Sequence, residues 1–191
     1  MATLFVDKLD PQSGTALEIG SSGDTITIPS GATITNSGTA TGFPAGTPYC
    51  AVYRAGDQTI SDATWTKIQF NTEIVDSANA FDNSSNYRFT PQTAGWYYVS
   101  LNVSSGTTVD NSTDRIECQI YKNGSGITGA ANLRDWDTVG LNYNDTINTS
   151  TIVQLNGSSD YIEGWAYIDL SSGTPRIENT YANMQMFKMA E

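Results

Sequence analysis

Nowhere does this chain show the i, i+3, i+4, i+7 apolar spacing that lets a helix bury one face. It is built instead of short alternating runs, cut apart by Gly, Asn, Asp and Ser. Such a chain reaches a packed core only by pairing strands into sheets and closing the sheets on each other. The clearest run is 96–103, with Tyr97, Val99, Leu101 and Val103 on one face and Trp96, Tyr98, Ser100 and Asn102 on the other. Residues 115–121 alternate likewise, setting Ile116, Cys118 and Ile120 against Glu117, Gln119 and Tyr121, and Lys122-Asn123-Gly124 closes the run with a turn. Further strands are predicted at 49–54, 66–71, 73–75, 87–90, 150–155, 160–170 and 181–189. About eight or more strands between residues 49 and 191 is the pattern of a jelly roll.

Composition narrows the function. Aromatic residues make up 10% of the 191, enough for a packed core in one domain plus a short appendage. Histidine is absent, which excludes a Ser-His-Asp triad, a Cys-His pair and histidine-ligated zinc. A net charge of −11 with 9 basic residues argues against binding nucleic acid through its phosphates. The N-terminal residues lack a basic stretch followed by a long apolar one, so no signal peptide is read there. No apolar run approaches the ~20 residues of a membrane span, so no membrane insertion is expected. Without an export signal, Cys50 and Cys118 are expected as two reduced thiols rather than one disulfide.

Residues 1–48 differ from the remainder. They hold no Trp, and Lys8 is their only basic residue. Two short Thr-Ile-Thr strands, 25–27 and 33–35, are predicted to flank a Pro29-Ser30-Gly31 turn. Each offers a core only one or two isoleucines, too little apolar surface for one copy to fold alone; three copies around an axis could. The segment reads as a shaft or anchoring arm, or else as a flexible tail. Residues 41–48, broken by Pro and Gly, read as a linker.

Residues 49–191 resemble the C1q/TNF-like jelly-roll head. Ala51-Val52-Tyr53-Arg54 is similar to its opening strand, and 87–99 to its Phe-x-x-Pro-x-x-Gly-x-Tyr signature. Ile120-Tyr121-Lys122-Asn123-Gly124 is similar to its Lys-Asn-Gly hairpin. Residues 153–162 are similar to its Val-x-Leu-x-x-Gly-Asp turn, with Ser158-Ser159 set between Gly157 and Asp160. The resemblance implies an all-β jelly-roll sandwich that forms homotrimers and carries out no catalysis. The N-terminal run, with Leu17-Glu18-Ile19-Gly20 and 23–31, resembles fibre-type structural proteins of tailed phages of marine and cyanobacterial hosts. That resemblance implies a virion protein, made in the host cytoplasm, whose residues 1–40 dock on other virion proteins and whose head faces outward. A capsid decoration or cement protein with the same head is the alternative. A hydrolytic tailspike fits less well, because 191 residues leave little room for a carbohydrate cleft.

Candidate sites divide into three groups. Asp135-Trp136-Asp137 lies beside Arg134, in a segment, 132–148, that lacks a clean strand pattern and is rich in Asn and Asp. A glycosidase needs two carboxyls about 5–10 Å apart across a cleft, and adjacent loop carboxylates give no sign of one. The readings left are a solvated loop or a ligand contact, in which Trp136 and Tyr143 stack on a host surface glycan beside Asp135 and Asp137. Asp110, Asn111 and Asp114, and likewise Asn142, Asn144 and Asp145, are oxygen-rich enough for Ca²⁺, but neither set has the spacing of a dedicated loop and both suit polar turns. Trp65, Trp96 and Trp165 lie on or next to strands and suit core or subunit packing. Trp96 with Tyr98, or Trp165 with Tyr167, are the candidates for a trimer interface.

Overall fold

A computed structural model of the chain describes residues 9, 11, 13–17, 19–33, 35, 37, 47–109, 112–135, 144–179 and 181–190. The chain divides into two units, 1–44 and 45–191.

In the first unit the expected turn is present, and no strand occurs among the described residues. The Ala32 N–H donates to the Pro29 carbonyl at 3.1 Å, and Gly31 takes φ +86°, as the third residue of a type II turn requires. The described residues on either side of the turn form no ladder, and Ile26 and Ile28 are exposed. The physical reason is the one that limits any lone pair of short strands: two isoleucines do not offset the entropy of ordering the ribbon.

The second unit is a sandwich of antiparallel strands with no helix among its described residues. In chain order these are β1 (Tyr49–Tyr53), β2 (Gln58–Thr59), β3 (Thr66–Lys67), β4 (Thr72–Asp76), β5 (Phe81–Asp82), β6 (Arg88–Phe89) and β7 (Gly95–Thr107). They continue with β8 (Thr113–Lys122), β9 (Ser125–Asp135), β10 (Asn144–Leu155), β11 (Ile162–Leu170), β12 (Pro175–Ile177) and β13 (Asn183–Ala190). The first sheet centres on β7, with β10 on one side and β13 followed by β1 and β4 on the other; β12 and β2 continue beside β7 past the end of β13. The second sheet runs β5-β6-β11-β8-β9, with β3 also on β11.

Alternation decides what each strand buries. The inward rows Tyr97-Val99-Leu101-Val103, Ile116-Cys118-Ile120 and Ile162-Ala166-Ile168 meet between the sheets and are fully buried, as read from the sequence for the first two. Gly164 sits in the middle of the inward row of β11. A Cβ there would lie 2.8 Å from Leu101 Cδ1 and 3.0 Å from the Phe70 ring, so the missing side chain is what lets the two sheets approach. Cys50 faces the core from β1 and Cys118 from β8; both are free. Burial pushes the Cys118 thiol up to about 12 and raises that of Cys50 further, so neither is a reactive thiolate at neutral pH.

One expectation is corrected. The ends of the 132–148 segment are strand: β9 runs through Asp135 and β10 begins at Asn144. β9 is an edge strand, exposed along most of its length, with a register shift opposite Gln119–Tyr121 and Gly129 at φ +81°. An edge strand with a bulge has no second buried face to impose alternation.

At the end where the chain enters β1, the 156–160 turn is held by side chains. Asn156 Oδ1 accepts the N–H groups of Ser158, Ser159 and Asp160 at 2.9–3.0 Å. The Asp160 carboxylate accepts from Asn123 Nδ2 at 2.8 Å and pairs with Lys122 Nζ at 2.9 Å, which holds it below the usual carboxylate range, the Asn123 bond contributing most. Gly157 takes φ +71° with the Ala94 backbone nitrogen only 2.2 Å from where its Cβ would lie. Gly157→Ala should therefore lower the unfolding free energy by about 3 kcal/mol. Gly129→Ala, also at positive φ but facing open space, should cost only about 1 kcal/mol. Urea unfolding of both variants checks the ordering; equal losses would contradict it.

Candidate functional site

Three surfaces of the sandwich carry chemistry that the core does not use. The first is the outward face of the β7 sheet. Register places Ile152, Tyr98, Phe187 and Tyr49 side by side across β10, β7, β13 and β1. Ile152 is 54% exposed, Phe187 44% and Tyr49 51%, and the Tyr98 and Phe187 rings lie 5.2 Å apart. Trp96, at 42%, and Met189, at 52%, continue this apolar row toward the end where β1 begins. Farther along, the same face turns polar: Ser150, Ser100 and Gln185 form the next rung, and Asn148, Asn102 and Asn183 the one after. Asn102 Nδ2 donates to Asn183 Oδ1 at 3.1 Å. A contiguous apolar row bounded by amides on an otherwise polar surface is the chemistry of a protein interface.

The second is the end of the sandwich opposite the start of β1, where β7, β9 and β11 finish and β8 and β10 begin. Asp135 is exposed there, at the end of β9. Trp136, Asp137 and Tyr143 lie outside the described residues, as do Asp110, Asn111 and Asn142. Asp114 is half-buried. Asp145, only 8% exposed, is ion-paired to Arg134 across the two edge strands, and its Oδ2 has no hydrogen-bond partner. No group of three or more His, Cys, Asp or Glu side chains that could hold a metal occurs among the described residues. Arg134 fixes the base of the β9–β10 connection by neutralising a carboxylate that burial would otherwise penalise. Arg134→Ala should cost about 2 kcal/mol of unfolding free energy, whereas Asp135→Ala, on an exposed side chain, should change it by less than about 0.5 kcal/mol. Thermal melts of the two variants check this.

The third surface is the outward face of the β11 sheet. Trp165 and Tyr167, read from the sequence as interface candidates, stand here with Trp65 and Tyr121, on the face opposite Trp96 and Tyr98. Trp165 stacks on Tyr121 with ring centroids 4.7 Å apart, and Trp65 lies 6.2 Å from Tyr121 and 5.8 Å from Tyr167. Beneath them Glu163 is buried, accepting from Lys67 Nζ at 3.0 Å and from Trp165 Nε1 at 3.1 Å. Burial, reinforced by Glu117, raises the Tyr121 hydroxyl above its ordinary range.

Two antiparallel sheets closed face to face in this order define a jelly-roll sandwich of the C1q/TNF type. Solved structures with the same fold include Eiger TNF from S. frugiperda, at 11% identity and TM-score 0.51, covering 76% of this chain and 92% of that one. The globular domain of zebrafish complement 1qA matches at 13% identity and TM-score 0.52, over 75% of this chain and 98% of that one. Murine APRIL matches at 7% identity and TM-score 0.53, over 75% and 99%. No protein-family model and no curated protein sequence matches the chain.

Proposed function

We propose that this chain is a non-enzymatic structural protein of a tailed-phage virion. It is a homotrimeric fibre, with residues 1–48 as its anchoring arm and shaft and 49–191 as its outward-facing head. The observation that carries the reading is the bare apolar row Ile152–Tyr98–Phe187–Tyr49 with Trp96 and Met189, which one copy leaves in water. Covering it with another copy removes that cost. Symmetry allows only one of the two sheet faces, and the exposed apolar row favours that of β7. In a closed threefold ring the two neighbours of a subunit lie about 60° apart as seen from it, so its contact patches adjoin; patches on opposite faces would build an open filament. The ring therefore uses the Trp96 and Tyr98 face and leaves Trp165 and Tyr167 outside.

The arm supports the same reading, because Ile26 and Ile28, exposed in one copy, gain a core only when several arms meet. Residues 1–40 dock on other virion proteins. In the outward-facing head, Trp136 and Tyr143, beside Asp135 and Asp137, contact a host glycan. A net charge of −11 per chain opposes approach to an anionic envelope, so recognition rests on stacking and hydrogen bonds.

Light scattering of the purified protein at micromolar concentration should give about three times 20.6 kDa. Phe187→Glu, which puts a charge in every copy of the apolar row, should give a folded monomer. A monomeric parent protein, or an unchanged trimer in the variant, would refute the interface. Deleting residues 1–40 should leave the head folded and trimeric and abolish its incorporation into particles. Normal occupancy of the truncated protein on virions would remove the anchoring role, and labelling on the capsid shell rather than the tail would favour the decoration protein.

A further inference from the structure

We propose that the outward face of the β11 sheet is a glycan-binding surface, taking neutral pyranose sugars on the rings of Trp65, Tyr121, Trp165 and Tyr167. The inference rests on the reading of the head as outward-facing, and assigns it a sugar platform distinct from the 136–143 connection. Four aromatic side chains from three separate stretches of chain meet on this face. The core does not need them, because Ile116, Cys118, Ile120, Ala166 and Ile168 already fill the inward side of the same strands. A threefold ring built on the other sheet does not cover them.

The surroundings of the rings match a saccharide. A pyranose offers an apolar C–H face for stacking and a rim of hydroxyls for hydrogen bonds. Here the stacked and tilted rings supply the apolar surface, and fixed polar pairs border it. Glu163 is held from both sides by Lys67 and Trp165, and Arg115 lies over Tyr167 at 5.6 Å while pairing with Glu117. Groups already locked by ion pairs lose little further entropy on binding.

Charge decides the class of sugar. Every described basic side chain of the head is engaged within the chain. Lys67, Arg115, Lys122, Arg134 and Arg176 pair with carboxylates. Arg54 donates to two backbone carbonyls, Arg88 lies over Tyr161, and Lys188 is buried. An acidic sugar would meet surplus negative charge with no cation to receive it, so the surface selects neutral glycans.

The test titrates the full-length protein with neutral gluco-, galacto- and manno-configured hexasaccharides and with sialyllactose, following tryptophan emission and heat. At least one neutral hexasaccharide should bind and shift the emission. Trp65→Leu and Tyr121→Leu, which keep apolar bulk but remove the flat face, should each weaken binding about tenfold. Trimer mass and circular dichroism of each variant confirm that it is folded. Binding lost in Trp136→Ala but kept in Trp65→Leu would overturn the inference while leaving a glycan contact at the far end of the head. Preference for sialyllactose, or no neutral binding at all, would overturn it too. The mass and virion-incorporation measurements test the fibre reading separately.

Discussion

The two sheets close on a position that has no side chain. Gly164 lies midway along the inward row of β11, and Leu101 from β7 and the Phe70 ring occupy the space above it. Any larger residue would hold the sheets apart at their centre, and the rows above and below would lose contact together, because interiors packed this densely do not deform locally. β7 is the strand that exploits this closeness. It runs from Gly95 to Thr107, the longest strand among the described residues, and pairs with β10 along one edge and with β13 and β12 along the other. Its inward half is therefore fixed by the opposing sheet and its edges by three ladders, which leaves only the outward half free to vary.

That division explains why the outer surfaces differ so much in chemistry. On the β7 sheet, hydrogen-bonded register forces Ile152, Tyr98, Phe187 and Tyr49 into one straight row, so a modest number of apolar residues becomes a single continuous surface. On the β11 sheet, the aromatic residues are drawn over a buried Glu163, and the carboxylate and the indole N–H hold each other. The first surface is a long rung of the kind another protein covers. The second is a compact cluster bounded by ion pairs, suited to something small and polar at its rim.

Legibility in the sequence followed burial. β7 and β8 alternate cleanly because each has one face packed against the opposing sheet, and both were readable residue by residue. The same logic fails for β9, where Ala130 alone is buried in a strand otherwise largely exposed, and for β2, β5 and β12, which at two or three residues are too short to show a period. Residues 1–48 show the opposite failure: the Thr-Ile-Thr runs carry the local signature of strands, but their described residues form no ladder. The clustering of Trp65 with Tyr121 and Trp165 was out of reach, since nothing near residue 65 reveals which strands its loop folds over. Trp165 and Tyr167 were legible as exposed-face aromatics, but which sheet they belonged to depended on topology.

The scarcity and engagement of basic side chains also bear on how the protein meets digestive enzymes. After Lys8 the chain has no Lys or Arg until Arg54, so residues 9–53 offer a trypsin-like protease nothing to cut. Arg54 itself follows directly on β1 and donates to the carbonyls of Gln69 and Asp57, inside the folded unit. The described basic residues beyond it sit in strands or at their ends, where a protease cannot draw the backbone into an extended cleft without opening a ladder. Exposed chain outside a packed unit is normally the first part of a protein to be digested. Here the composition of residues 9–53 withholds such sites, and the lifetime of the molecule among such proteases is set by how often the sandwich opens.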